Sequence, residues 1–358
     1  MTTATVRLGA LGRTNGTNGT GRTSPTGRTD GTGRTSVAGV PGTLWRPRSG
    51  CDTDCLPLPD ALPRAGRLRR AARLTGALIL LLAGAGLLVL LPLLARRLRP
   101  VVGGWWARRL LHALGVRLVR AGRPLDRPAL LTANHVSWLD TLAILAVAPA
   151  RMLAKHEVGR WPLIGALARA GGTMFIDRDR PRALPRTVAD VADALRAGDL
   201  VAVFPQGTTT CGTAGQVPLG GRCRSGAPRP APFRPAMFQA AVDAGAPVVP
   251  LTLTYHFQVG RPAERGVAGA RPTGATPTDV TPTGAAAFIG EEALWPSARR
   301  IIGLRDLVVR VDCGAPLSPA PRSPSRVPYR RALARLADPA RLADPASEPV
   351  RAALDLAR

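Results

Sequence analysis

Residues 129–140 read ALLTANHVSWLD, an apolar run followed by a polar loop and the start of an amphipathic segment. The run ALLTA (129–133) has the length and composition of a buried strand. SWLD (137–140) fits a capping box, with Ser137 as the N-cap and Asp140 three residues later in the first turn of a helix. The stretch therefore predicts a strand, a short loop that carries His135, and a helix.

His135 and Asp140 are five residues apart. On one regular helix their side chains would lie about 140° apart around the axis and could not meet. With His135 in the loop, its imidazole can fold back over the first turn and reach the carboxylate. A carboxylate bonded to one imidazole nitrogen leaves the other nitrogen to take a proton from a hydroxyl, which is part of a hydrolase triad without its nucleophile. The hydroxyl could belong to a substrate, and Asp140 as a plain helix cap is the alternative.

Outward from this stretch, short apolar runs alternate with helical patterns. Strands are predicted at residues 129–133, 151–154, 173–176, 200–204, 248–255 and 307–311. Helices are predicted around residues 138–148, 161–170, 186–197 and 235–244. This alternation indicates an α/β layered fold. Residues 259–284 interrupt it and are predicted to form a flexible insertion.

Residues 74–95 carry no charge over 22 positions. At about 1.5 Å per residue they are long enough to cross a bilayer core of about 30 Å, so a membrane helix is predicted. Five arginines lie within twenty residues on each side, which leaves the orientation open. The following stretch, residues 101–120, contains Trp105 and Trp106 and is predicted to lie along the membrane surface, with an amphipathic core helix as the alternative.

The first sixty residues are rich in Gly, Thr and Arg and are predicted to be a disordered arm whose deletion leaves activity intact. The net charge of +26 would suit a polyanionic partner, but the general excess of arginine makes this a weak signal. Lys155 is the only lysine in the chain, which favours a role for it in a site. The apolar run and the lack of a recognisable nucleic-acid motif argue against a nucleic-acid-binding protein.

The five cysteines occur in irregular contexts. Cys51 and Cys55 form a short-spaced pair, but no second pair or histidine cluster is visible to supply further ligands, so no metal site is predicted. Cys211 has no evident neighbouring base, and an inert thiol is expected there. The sequence predicts free thiols in a reducing compartment.

Four segments together resemble the motifs of the lysophospholipid and glycerol-phosphate acyltransferase family. NHVSWLD (134–140) resembles its first motif, and GTMFIDR (172–178) resembles its second. FPQGTTT (204–210) resembles the third, and VVPLTLTY (248–255) resembles the fourth. The four segments follow the family's order, and the resemblance covers roughly residues 105–317. It implies a glycerol-phosphate acyltransferase-like layered fold, a mixed sheet flanked by helices and preceded by an N-terminal membrane helix.

The resemblance also implies roles for individual residues. His135 would deprotonate an acceptor hydroxyl, which attacks an acyl thioester directly, and Asp140 would orient His135. Arg178 would bind the acceptor phosphate, and Lys155 matches a lysine that the family often has between the first two motifs. Gly207 and Thr208 in the third motif would let backbone N–H groups approach a phosphate or a developing oxyanion.

The resemblance implies an O-acyltransferase that converts 1-acyl-sn-glycerol 3-phosphate to phosphatidate in phospholipid biosynthesis. Acyl-CoA or acyl carrier protein would be the donor, and no cofactor is expected. Gln206 stands where the family usually has glutamate, and Thr209 stands where many members have arginine. These departures leave two alternatives open: a lyso-ornithine or other lyso-aminolipid acyltransferase, or a catalytically impaired lipid-binding homologue.

The predicted organisation is an arm (1–60), a membrane helix (74–95), an acyltransferase domain (105–317) and a Pro/Arg-rich helical tail (318–358). Membrane lipids and the acyl donor are the expected partners, nucleic acid is not, and the oligomeric state is open. The expected location is the cell membrane, with the catalytic domain on the cytoplasmic side.

Overall fold

The computed structural model describes residues 47, 49, 51, 53–90, 98–126, 128–212, 232–258, 280–289, 292–318 and 326–339. The strands are β1 Val116–Gly122, β2 Ala129–Ala133, β3 Arg151–Lys155, β4 Met174–Ile176, β5 Leu200–Val203, β6 Val248–Gln258, β7 Val280–Pro282 and β8 Leu307–Cys313. The helices are α1 Arg67–Leu90, α2 Arg99–Ala113, α3 Leu139–Val147, α4 Ile164–Ala170, α5 Leu184–Arg196, α6 Ala236–Ala244, α7 Leu294–Ile302 and α8 Arg326–Leu336.

The strands form one mixed sheet in the order β1-β8-β6-β2-β5-β3-β4, with β7 paired to β6. Four neighbouring strands, β2, β5, β3 and β4, run parallel, and β6 is parallel to β2. The antiparallel pairs are β6 with β8 and β6 with β7. This mixed sheet with flanking helices confirms the predicted fold class.

The two faces of the sheet bury separate layers of helices. Every residue of β2 and β5 is buried, as expected for strands covered on both faces. Along β2, Leu131 joins a core that includes residues of α2, α3 and α7, whereas Leu130 joins a core with α5, α6 and α8. Because side chains alternate along a strand, one short apolar run supports both layers.

The six predicted strands and four predicted helices are present, with shifted ends. The prediction for residues 101–120 was wrong in its second half, because α2 ends at Ala113 and residues 116–122 form β1. Gly115, with φ of 78°, separates the two elements. β1 pairs with β8, which lies almost two hundred residues later, from Val116 opposite Leu307 to Gly122 opposite Cys313. Local sequence spacing does not reveal such a partner.

Two predicted boundaries need correction. The arm was predicted to extend to residue 60, but Cys51 and Cys55 are buried and residues 53–55 form a 3-10 turn. The insertion was predicted to extend to residue 284, but residues 280–282 form β7 against β6. In both cases the polar composition of the segment hides a few residues that contact the core. The rest of the arm up to residue 46 and residues 259–279 lie outside the described residues.

Over Arg67–Leu88, helix α1 is long and apolar enough to cross a membrane. Of the residues in its most apolar stretch, 11% are buried inside the protein. The helix thus begins before residue 74, and residues 91–97 of the predicted span lie outside the described part. Trp106 on α2 donates from Nε1 to the Leu80 carbonyl at 2.9 Å, which fastens α2 to α1. Trp105 is instead 54% exposed, so the two neighbouring tryptophans have different surroundings.

Candidate active site

The predicted site residues follow the ends of four adjacent parallel strands. His135 follows β2, the FPQGTTT loop follows β5, Lys155 is the last residue of β3, and Arg178 follows β4. Parallel strands place their carboxyl ends at one edge of a sheet, where ligands bind in open α/β folds. The strand order therefore brings residues of the first three motifs and Lys155 to a common edge, because β2, β5, β3 and β4 are consecutive in the sheet.

His135 and Asp140 form a hydrogen-bonded pair. The distance from His135 Nδ1 to Asp140 Oδ2 is 2.9 Å, the His135 side chain is 21% exposed, and the carboxylate is fully buried. With a carboxylate accepting at Nδ1, the neutral imidazole carries its proton there and Nε2 is left as the basic nitrogen. The predicted fold-back of the imidazole over the first turn is therefore present.

Asp140 accepts further hydrogen bonds besides the one from the imidazole. The backbone N–H groups of Val136 and Ser137 donate to Oδ2 at 2.6 and 2.8 Å, and the Tyr255 hydroxyl donates to Oδ1 at 2.5 Å. Burial, followed by the charge of Asp140, raises the pKa of Tyr255 well above its ordinary value, so the hydroxyl keeps its proton and remains a donor. These donors stabilise a buried carboxylate that also orients His135.

The capping box is present in a shifted form. Ser137 Oγ accepts from the Leu139 N–H at 3.3 Å, and Asp140 reaches back to the Ser137 N–H. The N-cap is Trp138, one residue later than predicted, because α3 begins at Leu139. Asp140 thus caps the helix and pairs with His135, so the two interpretations of this residue are compatible.

The third-motif loop holds His135 from its other side. The His135 N–H donates to Gln206 Oε1 at 2.9 Å, and the His135 carbonyl accepts from the Thr210 N–H at 2.9 Å. The imidazole stacks on the Phe204 ring, with centroids 3.9 Å apart and an angle of 10° between the planes. The loop therefore positions both the backbone and the ring of His135.

Arg178 lies against the same loop and donates from Nη1 to the Gly207 carbonyl at 2.5 Å. Burial lowers the pKa of Arg178 from its ordinary value, the charge of Glu157 raises it in part, and that of Arg234 lowers it further. The N–H of Arg234 donates to the Pro205 carbonyl at 3.1 Å, so the backbone of this arginine is also fixed to the loop. Two arginines thus make hydrogen bonds to carbonyl groups of the third-motif loop.

The remaining predicted residues have varied surroundings. Lys155 is exposed at the end of β3, opposite Ile176 of β4. Gly207 has a φ of 76°, as the turn requires, but its N–H donates to the Phe204 carbonyl and is used within the turn. Thr208 is half-buried. Thr209, at the position where many relatives carry arginine, donates from Oγ1 to the Phe288 carbonyl.

Sequence reasoning missed three contributors to this site. Tyr255 is the last residue of the quoted fourth motif and one of two tyrosines in the chain, which was an available signal. Phe204 opens the third motif, but nothing in the sequence indicates that its ring stacks on His135. Arg234 precedes α6 in an arginine-rich chain, so its position could not be distinguished from that of other arginines.

Three cysteines near the third-motif loop could hold a metal ion, contrary to the sequence prediction. The Sγ atoms of Cys51, Cys55 and Cys211 lie within 4.8 Å of one another, and all three residues are buried. The hydrogen bond between the Cys51 and Cys211 side chains lowers the pKa of Cys51 to about 6, although burial opposes this shift. Cys211 directly follows Thr210, whose N–H donates to the His135 carbonyl, so the cluster is connected to the loop that holds His135.

Comparison with known proteins agrees with this geometry. A family model described as Acyltransferase matches residues 116–254. A 1-acyl-sn-glycerol-3-phosphate acyltransferase from Neisseria gonorrhoeae is 33% identical over 259 residues, which are 69% of this chain and 82% of that protein. The chain belongs to the lysophospholipid acyltransferase family. The protein is accordingly an O-acyltransferase.

Other relatives of this acyltransferase carry two kinds of name. A 1-acyl-sn-glycerol-3-phosphate acyltransferase from Neisseria meningitidis is 35% identical over 57% of this chain and 67% of its own length. A lyso-ornithine lipid O-acyltransferase from Pseudomonas aeruginosa is 33% identical over 54% of this chain and 70% of its own length. A crystal structure of a 1-acyl-sn-glycerophosphate acyltransferase from Thermotoga maritima is 18% identical, with a TM-score of 0.48, over 80% of this chain and 95% of that one.

Proposed function

We propose that this acyltransferase acylates 1-acyl-sn-glycerol 3-phosphate to phosphatidate in phospholipid biosynthesis, with acyl-CoA or acyl carrier protein as the donor and no cofactor. The observation that carries the chemistry is the 2.9 Å contact between His135 Nδ1 and the fully buried Asp140 carboxylate. His135 Nε2 takes the proton of the acceptor hydroxyl, and the oxygen attacks the thioester carbonyl carbon. The carbon–sulfur bond breaks, and the imidazolium returns the proton to the leaving thiolate.

The cationic edge of the site supports a phosphate-bearing acceptor. Arg178 and Arg234 both lie at the third-motif loop, and Lys155 ends the strand next to the one that precedes Arg178. Guanidinium groups bind phosphate oxygens in a two-point geometry and with charge assistance. Arg234 supplies a second guanidinium at this loop. It could take the place of the arginine that many family members have at the position of Thr209.

A lyso-ornithine lipid is the second candidate acceptor, and the relatives with that name support it. Thr209 favours it as well, because its hydroxyl is directed to the Phe288 carbonyl and contributes no charge. Ornithine carries both an ammonium and a carboxylate, so Arg178 could bind the carboxylate while Arg234 would repel the ammonium. We prefer the phosphate for this reason.

An impaired homologue is the less favoured alternative. The amide of Gln206 makes the hydrogen bond to the His135 N–H that a glutamate at this position could make. The base and its orienting carboxylate are in hydrogen-bonding contact. The departure from the family's usual residue therefore leaves the geometry around His135 intact, which supports an active enzyme.

We further propose that α1 anchors the enzyme in the cell membrane with the site on the cytoplasmic side, where soluble acyl donors are available. Leu78, Ile79 and Leu82 on α1 are each more than half exposed, as expected for a lipid-facing surface. Trp105 and Trp295 are also more than half exposed and suit the headgroup layer.

The acceptor is tested with purified enzyme in detergent, a labelled acyl-CoA, and the two lysolipids in parallel. We expect a higher kcat/KM for 1-acyl-sn-glycerol 3-phosphate.

Arg178→Ala should raise the KM for this acceptor roughly ten- to hundred-fold, as for the loss of a charge-assisted contact of about 1.5–3 kcal/mol, and should change the donor KM little. Lys155→Ala should act in the same direction.

Arg196→Ala is the matched control, because Arg196 ends α5 before β5 begins and pairs with Asp193. It should leave both KM values unchanged. A higher kcat/KM for lyso-ornithine lipid would transfer the assignment to the second candidate. Equal changes in the two KM values for Arg178→Ala would show that Arg178 has a structural role only.

A further inference from the structure

Cys51, Cys55 and Cys211 bring three thiols together from distant parts of the chain. Cys51 Sγ and Cys211 Sγ are 3.4 Å apart, and all three sulfur atoms lie within 4.8 Å of one another. The residues are 6%, 1% and 4% exposed. The Cys211 N–H also donates to Cys51 Sγ at 3.3 Å, so the backbone of the loop contributes to the cluster. Neither the proposed transfer step nor the acceptor contacts use these groups.

The geometry fits a metal–thiolate site. With zinc–sulfur bonds of about 2.3 Å, two ligands of a tetrahedral ion lie about 3.8 Å apart. The Cys51–Cys211 separation of 3.4 Å is close to this distance, and no pair of the three sulfur atoms is more than 4.8 Å apart. Cys51 and Cys55 have three residues between them, a spacing within the range of structural zinc sites, and residues 53–55 form a tight turn that brings both sulfurs to one side. A disulfide would account for only two of the three clustered thiols.

We propose that Cys51, Cys55 and Cys211 bind one Zn²⁺ ion. Each thiol gives its proton to solvent on binding, so three thiolates and the ion carry a net charge of −1 before the fourth ligand is counted. Thiolates are soft ligands that select zinc over the hard cations magnesium and calcium.

The ion would join two segments that matter to the site. Cys51 and Cys55 precede α1, whereas Cys211 follows Thr210, whose N–H donates to the His135 carbonyl at 2.9 Å. Pro47 lies close to Gly207, with Cγ 2.8 Å from the position that a Cβ there would take. The zinc site would therefore fasten the segment before the membrane helix to the loop that positions His135. This role is structural and does not depend on which lysolipid is the acceptor.

The test begins with zinc content. The full chain is purified in detergent under reducing conditions from zinc-supplemented cells, and its metal content is measured by mass spectrometry. We expect about one zinc ion per chain in the wild type. Cys211→Ser and Cys51→Ser should lose most of it. Cys313→Ser is the matched control and should keep it, because Cys313 is buried in β8 and lies outside the cluster.

A second measurement needs no variant and so does not depend on how the substitutions fold. Cobalt added to the reduced, zinc-depleted wild type should produce thiolate-to-cobalt charge-transfer absorption at one ion per chain, and zinc should remove it. The absence of both zinc and this absorption would overturn the proposal. A purified chain in which Cys51 and Cys211 are joined as a disulfide, with no bound zinc, would overturn it as well. Zinc content is measured without acyl transfer, so its outcome is separate from that of the acceptor assay.

Discussion

His135 is held by two different parts of the chain. Asp140 fixes the ring through Nδ1, and the third-motif loop fixes the backbone through Gln206 and Thr210. Phe204 covers one face of the ring. The backbone contacts with Gln206 and Thr210 do not require the imidazole, and without it Asp140 still accepts from two backbone N–H groups and the Tyr255 hydroxyl. The loss of the ring should therefore affect catalysis much more than stability.

We therefore expect His135→Ala to lower kcat by roughly 10²- to 10⁴-fold, the usual contribution of a positioned general base, with little change in melting temperature. Asp140→Asn should lower kcat too, but it should also destabilise the fold by about 1–3 kcal/mol. The reason is that an amide nitrogen would face one of the donors that now surround the buried carboxylate. Acyl-transfer kinetics and thermal unfolding of both variants check this difference. Near wild-type turnover in His135→Ala would contradict the assignment of the base.

Gln206 provides a sharper test, because the family usually has glutamate there. Its side chain is 1% exposed, and its amide oxygen already accepts the His135 N–H. Gln206→Glu keeps an acceptor but adds a buried charge in the region of the buried Asp140. We expect a several-fold lower kcat and a lower melting temperature. Gln258→Glu is the control, since Gln258 is exposed and its partner is Arg117, and it should change neither quantity. A several-fold gain in turnover from Gln206→Glu would instead favour the impaired homologue.

Trp105 and Trp106 are neighbours on α2, but their side chains have different surroundings. Trp106 packs on α1 and donates to the Leu80 carbonyl, and a Cβ at Gly84 would lie 3.0 Å from its Nε1. Trp105 is more than half exposed, and the Arg109 guanidinium lies 5.3 Å from its ring centroid. An indole that is exposed beside an arginine suits the headgroup layer of a membrane.

Trp105→Ala should accordingly weaken binding to anionic vesicles, measured by flotation, and leave the melting temperature unchanged. Trp106→Ala should lower the free energy of unfolding by roughly 2 kcal/mol, through lost packing and a lost hydrogen bond, and change vesicle binding less. Similar effects of the two substitutions on both measurements would contradict this division of roles.

Across the molecule, the segment that precedes α1 contacts elements far along the chain. Cys51 and Cys55 belong to the main apolar core, and the Ala65 N–H donates to the Gly303 carbonyl at 2.9 Å. Arg73 on α1 donates from Nη1 to the Ile302 carbonyl at 3.0 Å. The N-terminal part of the described chain is therefore a component of the catalytic domain and cannot be treated as an appendage.

Deletion of residues 1–60 should reduce both the melting temperature and the acyl-transfer rate, in contrast to the expectation from composition. The deletion removes Pro47, Cys51 and Cys55, which contact the third-motif loop or the core. A chain that begins at residue 41 retains all of these contacts and should keep both properties. Equal activity of the two truncated proteins, measured at equal detergent concentration, would show that the buried cysteines contribute little.

The sequence by itself determined the features that depend on near neighbours along the chain. The strand, loop and helix of residues 129–147, the approach of His135 to Asp140 and the apolar character of α1 all follow from local periodicity and cap residues. These patterns are readable because backbone conformation over a few residues is governed by side chains within about one helical turn. The order of the four motifs was equally visible, and it indicated the family.

Only the tertiary structure decided which distant groups meet. Tyr255 reaches Asp140 across 115 positions, and Cys51 reaches Cys211 across 160. The strand order places Lys155 and Arg178 on the same side of the third-motif loop, and it makes β1 a partner of β8. Such pairings result from the burial of two apolar faces of one sheet by separate layers of helices, a condition that involves the whole chain at once. No short stretch of sequence determines which distant residues meet. The cluster of three cysteines and the hydrogen bond from the Tyr255 hydroxyl to Asp140 therefore became visible only in the fold.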